Sequence, residues 1–265
     1  SPPPVSDAVL AAARICGITE VYAVGGAQAV AAMAYGTKIV PKVDKIVGPG
    51  NQYVTEAKRQ VRGFGMDIDM LAGPTEVFIV ADGSAKAGWV ASDMIAQLEH
   101  GADSSAIVIT TQEMAERVNV ELAKQLGDLP RKEIVMQSMK NSAILTTDFA
   151  DLKAIADAIN SYAPEHLELQ TEVNGKLLAL VKNAGAIFIG EKSCEAFGDY
   201  CAGSNHVLPT GGSARFASGL SVETFVKKIE IVEVKNAAEL AKNTAILAKA
   251  EGLDGHARSA EKRGR

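Results

Sequence analysis

The run Glu76-Val77-Phe78-Ile79-Val80-Ala81 constrains this chain most, because both of its faces are apolar. A strand of that kind has to be covered on two sides, as parallel strands in α/β proteins are. The residues after it repeat the theme. Trp89 or Val90, then Met94, Ile95 and Leu98, recur at helical spacing, and Gly101 is a stop signal. Ala106-Ile107-Val108-Ile109-Thr110 reads as the next strand and residues 112–126 as the next helix. Strand 142–146, helix 149–159 and strand 186–190 continue the alternation. Strands and helices in strict alternation predict a mostly parallel sheet with helices on both faces.

Upstream the same grammar has glycine in its joints. Residues 6–16 form a helix with a Ser/Asp start and Gly17 as its stop. Strand 20–24 runs into Gly25-Gly26 and a helix over 27–35. Strand 45–47 runs into Gly48-Pro49-Gly50-Asn51 and a helix over 53–61. A strand, a glycine turn and a helix N-terminus together present backbone N–H groups to a phosphate. Neither turn is a GxGxxG fingerprint, and ordinary βα connection chemistry explains both equally well. After Gly211-Gly212 the character changes: residues 229–234 alternate like a strand, and 237–250 form a long Ala/Leu/Lys helix. The expected fold is α/β, with two incomplete Rossmann-like units, mostly parallel sheets and a C-terminal helical tail. The expected division is a cofactor-side unit over 1–73 (its N-terminal part missing), a substrate- and metal-side unit over 74–220, and a tail over 221–265.

Composition narrows the partners. A net charge of −5 argues against nucleic acid. No apolar run is long enough to span a membrane, and Ser1-Pro2-Pro3-Pro4 has neither the basic nor the apolar region of a signal peptide. The three cysteines, Cys16, Cys194 and Cys201, form no CxxC pair and fit a reducing compartment. The expected location is the cytoplasm, or a plastid for a chain with a transit peptide ahead of Ser1.

Only four histidines are present. His100 stands three residues after Gln97, one helical turn away, where an imidazole and an amide oxygen can share a metal ion; Asp93, four before Gln97, is a competing ligand. His166 follows Glu165 in Ala163-Pro164-Glu165-His166-Leu167, two proton-transfer groups side by side. Neighbours on a strand point to opposite faces, so this pair serves one site only from a loop or a strand end. His206 closes the stretch Gly198-Asp199-Tyr200-Cys201-Ala202-Gly203-Ser204-Asn205-His206, read as a glycine-interrupted loop with several potential ligands. Glu251 and His256 are five apart, about 140° on a helix, so one helix would not align them.

The chain resembles the histidinol dehydrogenase family. The matching strings are Gly25-Gly26-Ala27-Gln28-Ala29, Gly48-Pro49-Gly50-Asn51, Ala72-Gly73-Pro74-Thr75-Glu76, Gln97-Leu98-Glu99-His100-Gly101, Ala163-Pro164-Glu165-His166-Leu167, Gly198-Asp199-Tyr200, Asn205-His206-Val207-Leu208-Pro209-Thr210, and Ala250-Glu251-Gly252-Leu253 through His256. They are collinear over essentially the whole chain. The resemblance implies zinc held by Gln97, His100, Asp199 and His256, and an acid–base pair in Glu165 and His166. It implies NAD contacts at Gln28 and Asn51. Substrate contacts are implied at Thr75 (where the family usually has serine), His206 and Glu251, and also at Gln97, His100, His166, Asp199 and His256. The implied reaction carries L-histidinol through an aldehyde to L-histidine, in two hydride transfers to NAD at the end of histidine biosynthesis. The tail is implied to swap between subunits of a homodimer with a shared active site. Roughly the first third of the family's chain is expected to lie ahead of Ser1, bringing further strands and an aromatic cofactor contact. Two alternatives stand beside this reading: a zinc hydrolase using Glu165 and His166 as base, and an inactive shortened homologue that only binds metal.

Overall fold

The computed structural model describes residues 1–127 and 129–264. It contains two compact units, Ser1–Thr224 and Phe225–Arg265.

The first unit begins with α1 (Asp7–Ile15), α2 (Gly26–Tyr35), β1 (Lys45–Ile46), α3 (Gln52–Arg62) and β2 (Asp67–Ile68). β1 and β2 pair in parallel as a two-stranded sheet. Its small core joins Val30 and Ala34 of α2 to Ile46, Val61, Met66 and Ile68. Next come β3 (Glu76–Ala81), α4 (Ala87–Leu98), β4 (Ser105–Thr110), α5 (Gln112–Gln125), α6 (Lys132–Ser138) and β5 (Ala143–Thr146). The unit continues with α7 (Leu152–Tyr162), β6 (His166–Gln170), α8 (Asn174–Leu178), β7 (Ala186–Ile189) and α9 (Glu195–Tyr200).

These strands make a five-stranded sheet in the order β5-β4-β3-β6-β7, parallel throughout. Alternation along β3 divides the core as its two apolar faces require. Val77, Ile79 and Ala81 pack with α4 and α5, while Phe78 and Val80 pack with Ile155, Ile159 and Leu177 from α7 and α8. β6 is a different kind of strand. Leu167 and Leu169 join the second core, but His166, Glu168 and Gln170 point to the first face and are buried there. The chain enters β6 through Ala163, which caps α7 at φ 55 in the left-handed region and is fully buried. That turn sets Glu165 at the strand's amino end.

The second unit holds α10 (Ala238–Ala250) and α11 (Asp254–Glu261), with a core of Ala245, Ala248 and Ala257. Nothing apolar larger than alanine is buried there among the described residues, and Leu240, Ile246 and Leu247 stay exposed.

Several expectations need correction. Residues 20–24 and 229–234 are not strands. A strand is defined by the ladder that satisfies its N–H and C=O groups, and neither segment has a neighbouring strand among the described residues. Ile229, Ile231 and Val232 are exposed instead. The helix expected from residue 149 starts at Leu152, because Phe149 is at φ 62 and Asp151 caps the helix, accepting from Ala154 N–H. The loop expected over 198–206 opens as helix, with Asp199 inside α9. No helix of the described residues is long and apolar enough to cross a membrane.

Candidate active site

The predicted acid–base and metal residues of the first unit gather at the amino ends of β3 and β6. Thr75 directly precedes β3 and Glu165 directly precedes β6. α4 returns antiparallel to the strands, so its C-terminal end brings Gln97 and then His100 to the same edge. The helix ends at Leu98, and His100 lies just past the cap residue Glu99, with its N–H on Gln97 O at 3.4 Å. α9 delivers Asp199. Gly198 makes this approach possible, since a Cβ there would lie 2.6 Å from the Phe188 ring.

Hydrogen bonds tie the cluster together. Gln97 Nε2 donates to Thr75 Oγ1 at 2.8 Å, and Thr75 Oγ1 donates to Glu165 Oε2 at 2.5 Å. The N–H of Glu76 reaches the same carboxylate oxygen at 3.0 Å. His166 Nδ1 faces the carbonyl oxygen of Glu76 at 3.3 Å, with Glu165 Oε2 at 3.7 Å and Glu195 Oε2 at 3.8 Å. The Glu76 carbonyl can only accept, so in the neutral ring it favours the tautomer with the proton on Nδ1. Nε2 stands 3.6 Å from Asp199 Oδ1, and Asp199 Oδ2 is 4.0 Å from His100 Nε2.

Burial and charge decide how these groups hold protons. Burial alone would lower the His166 pKa, but Asp199 and Glu165 outweigh it and the net direction is up. His166 in turn holds the Asp199 carboxyl below the usual aspartate range, against its partial burial. Burial raises Glu165 despite His166 and Thr75, and burial with the nearby Glu165 charge raises Glu76 to about 7. Behind the site, burial keeps Asp93, Glu168 and Glu195 above the ordinary carboxylate range. Gln170 Nε2 donates to Asp93 Oδ2 at 3.0 Å and to Glu168 Oε2 at 2.7 Å.

A cavity of about 190 Å³ opens between the two sheets of this unit. On one side stand Thr75, His100, Glu165, His166, Asp199 and His206; on the other stand Pro49, Gly50 and Met70, which come after β1 and β2. The carboxyl-end crevice of the large sheet, where open α/β folds ordinarily bind dinucleotides, is lined by Asp82, Asp148 and Glu172. Three carboxylates repel a pyrophosphate.

Of the two predicted cofactor residues, Gln28 is exposed in the first turn of α2 and Asn51 caps α3, its Oδ1 accepting from Tyr53 and Val54 N–H. Glu251 and His256 belong to the second unit, as the cap residue of α10 and an exposed position of α11. Asp93 is not aimed at the cavity but held by Gln170. Sequence reasoning missed Glu76 and Glu195. Glu195 lies four before Asp199, on the same helical face, a signal invisible while that stretch reads as a loop.

The donor set suits a metal ion. Gln97 is fully buried, yet its Oε1 has no hydrogen-bond partner among the described residues, nor does His166 Nε2. An orphaned buried carbonyl is costly unless something meets it. No three His, Cys, Asp or Glu side chains of the described residues converge as a metal cluster. Gln97 offers a buried, unpartnered amide oxygen one helical turn before His100.

A profile of the histidinol dehydrogenase family matches residues 1–264. The chain belongs to the histidinol dehydrogenase family. It is 52% identical over 267 residues to histidinol dehydrogenase of Thermus thermophilus, covering 99% of this chain and 64% of that protein. With the Moorella thermoacetica histidinol dehydrogenase it shares 51% identity over 260 residues, covering 96% of this chain and 60% of the other. The crystal structure of histidinol dehydrogenase from Elizabethkingia anophelis superposes with a TM-score of 0.92 at 41% identity, covering 97% of this chain and 59% of that one. The chain thus spans about three fifths of the length of its histidinol dehydrogenase relatives.

Proposed function

We propose that this chain is the catalytic part of a zinc-containing, NAD-dependent histidinol dehydrogenase, oxidising L-histidinol to L-histidine by two hydride transfers. The observation that supports the reading is the buried Gln97, whose Nε2 donates to Thr75 while its Oε1 has no partner among the described residues, beside a cavity lined by Thr75, His100, Glu165, His166 and Asp199. Gln97, His100 and Asp199 would hold the zinc, with the His256 of a second copy, brought by its swapped tail, as fourth ligand. Zinc, when bound, supplies a Lewis-acid anchor for the substrate's imidazole. NAD, when bound, accepts the hydride, with Pro49 and Gly50 on one wall of the cavity and Gln28 and Asn51 as its expected contacts.

This chain's own residues manage the protons. His166 Nε2 takes the hydroxyl proton, and the Glu76 carbonyl keeps Nδ1 protonated so that Nε2 stays the acceptor. Glu165, held by Thr75 and Glu76 N–H, removes a proton from the water that hydrates the aldehyde. Its raised pKa makes it a better base than an exposed glutamate. Thr75 keeps the hydroxyl expected at the substrate contact, and His206, with the Glu251 of a second copy, would complete the substrate's surroundings.

The chain divides functionally into a cofactor side over 1–73, a substrate and zinc side over 74–220, and a tail over 221–265. The tail's alanine-only core and exposed Leu240, Ile246 and Leu247 support docking on a second copy, in a homodimer with shared sites. Three unpaired cysteines fit the cytoplasm. The test adds L-histidinol and NAD and follows NADH absorbance. A family enzyme gives two NADH per histidinol; a zinc hydrolase or a metal-only remnant gives none.

A further inference from the structure

Lys58 and Asp69 are the least economical residues of the first unit. Their side chains are 3% and 2% exposed and form an ion pair within the small-sheet region. Taking two charges out of water costs several kcal/mol per ion, and a well-packed apolar pair usually does as well for stability. What an apolar pair cannot do is hold polar atoms, and these two hold one peptide segment from both ends. Asp69 Oδ2 accepts from Gly48 N–H at 2.7 Å, and Lys58 Nζ donates to Gly48 O at 3.0 Å. Asp69 Oδ1 accepts from Met70 N–H at 2.6 Å. Gly48 is at φ 122, which only glycine adopts readily, so the grip fixes a backbone shape that would otherwise wander. Pro49 and Gly50, the next two residues, form the cavity wall opposite His166, and Met70 lines it too.

We propose that Lys58 and Asp69 are positioning residues that clamp the Gly48–Pro49–Gly50 turn, and through it the nicotinamide-cofactor side of the cavity. The proposal rests on the reading of NAD as cofactor. Neither residue touches the cavity. They act by keeping the turn preformed, so that NAD does not have to order it on binding. Thr75, Gln97, His100, Glu165, His166 and Asp199 are carried by or next to β3, β6, α4 and α9, none of which the clamp grips, so it is expected to leave histidinol binding alone.

The test uses two variants of the whole chain. Asp69→Asn keeps an acceptor for Gly48 N–H but removes the charge. Because a single change strands a buried ammonium and can unfold the chain, the deciding variant is Lys58→Met with Asp69→Leu. That pair removes both charges and keeps the volume filled. NAD and L-histidinol affinities are measured separately by calorimetry, beside the amide exchange rate of Gly48. The double variant is expected to stay folded, exchange Gly48 faster, and bind NAD about tenfold or more weakly, with histidinol affinity within about twofold. Unchanged NAD affinity and Gly48 exchange in the folded double variant would overturn the clamp, as would equal loss of both ligands. No NAD binding by the unaltered chain would instead overturn the cofactor reading, and Gly48 exchange would then decide the clamp by itself.

Discussion

The wall formed by Pro49, Gly50 and Met70 stands at the carboxyl ends of a two-stranded sheet, whereas that formed by Thr75, Glu165 and His166 stands at the amino ends of a five-stranded one. The first presents backbone, the second side chains. At the carboxyl end of a strand a glycine turn can expose N–H groups, and the small sheet needs buried side chains to hold that turn still. At the amino ends of β3 and β6 the reacting groups are side chains. Residues just before each strand are aimed by the ladder itself, as Val77 pairs with His166. Rigidity therefore comes to the two walls by different routes: a local clamp on one side, and a sheet packed on both faces on the other.

The contrast can be broken from the core outward. Leu169→Ala, at a fully buried position of β6, should cost about 2–5 kcal/mol of unfolding free energy. Val61→Ala in the small core removes less and should cost about half as much or less. Denaturant titration of the two variants would measure the gap, and equal losses would mean that the two sheets are equally well packed.

A pH titration sharpens the same point. Glu168 is held well above the usual 4.5 by burial, first of all, and then by Asp93. The folded state therefore keeps a proton that the unfolded state gives up, and stability is lost as pH rises. Its contribution is fully present below about 4.5 and declines from there through the raised folded value. Glu168→Gln keeps acceptor and shape, so its melting temperature should fall less with rising pH than that of the unaltered chain. Parallel curves would place the titrating group elsewhere. The smallest effect is expected at Asn51. Asn51→Ala removes the cap of α3 and should cost about 1 kcal/mol, while Asn51→Asp retains the cap. If Asn51→Asp weakens NAD binding at unchanged melting temperature, the residue's cofactor role is separate from its capping role.

How much was legible in the sequence depended on where the information resides. β3, with no polar position after Glu76, was readable to the residue. β6 was not, because His166, Glu168 and Gln170 alternate with leucines like the wet face of a surface strand, whereas α4 and α9 cover them. Residues 229–234 mislead in the opposite sense: they alternate well, but alternation records a preference and a ladder needs a partner. The Glu165–His166 pair leaves a loop and a strand end open, and the structure places it at the start of β6, with Glu165 just before the strand and His166 its first residue. Glu195 was hidden behind Gly198, which reads as a loop signal although it sits in a helix for close packing on Phe188. Lys58 and Asp69 carried no signal, because eleven residues of separation and two common surface types say nothing of burial.

The proposed function divides metal holding and proton transfer between two histidines, His100 and His166. Zinc content by atomic spectroscopy, measured beside histidinol-dependent NADH formation, tests this division in His100→Ala and His166→Ala. His100→Ala is expected to lose most of its zinc. His166→Ala is expected to keep its zinc and lose about 10²–10⁴-fold in turnover. Zinc lost from His166→Ala, or retained in full by His100→Ala, would contradict the division.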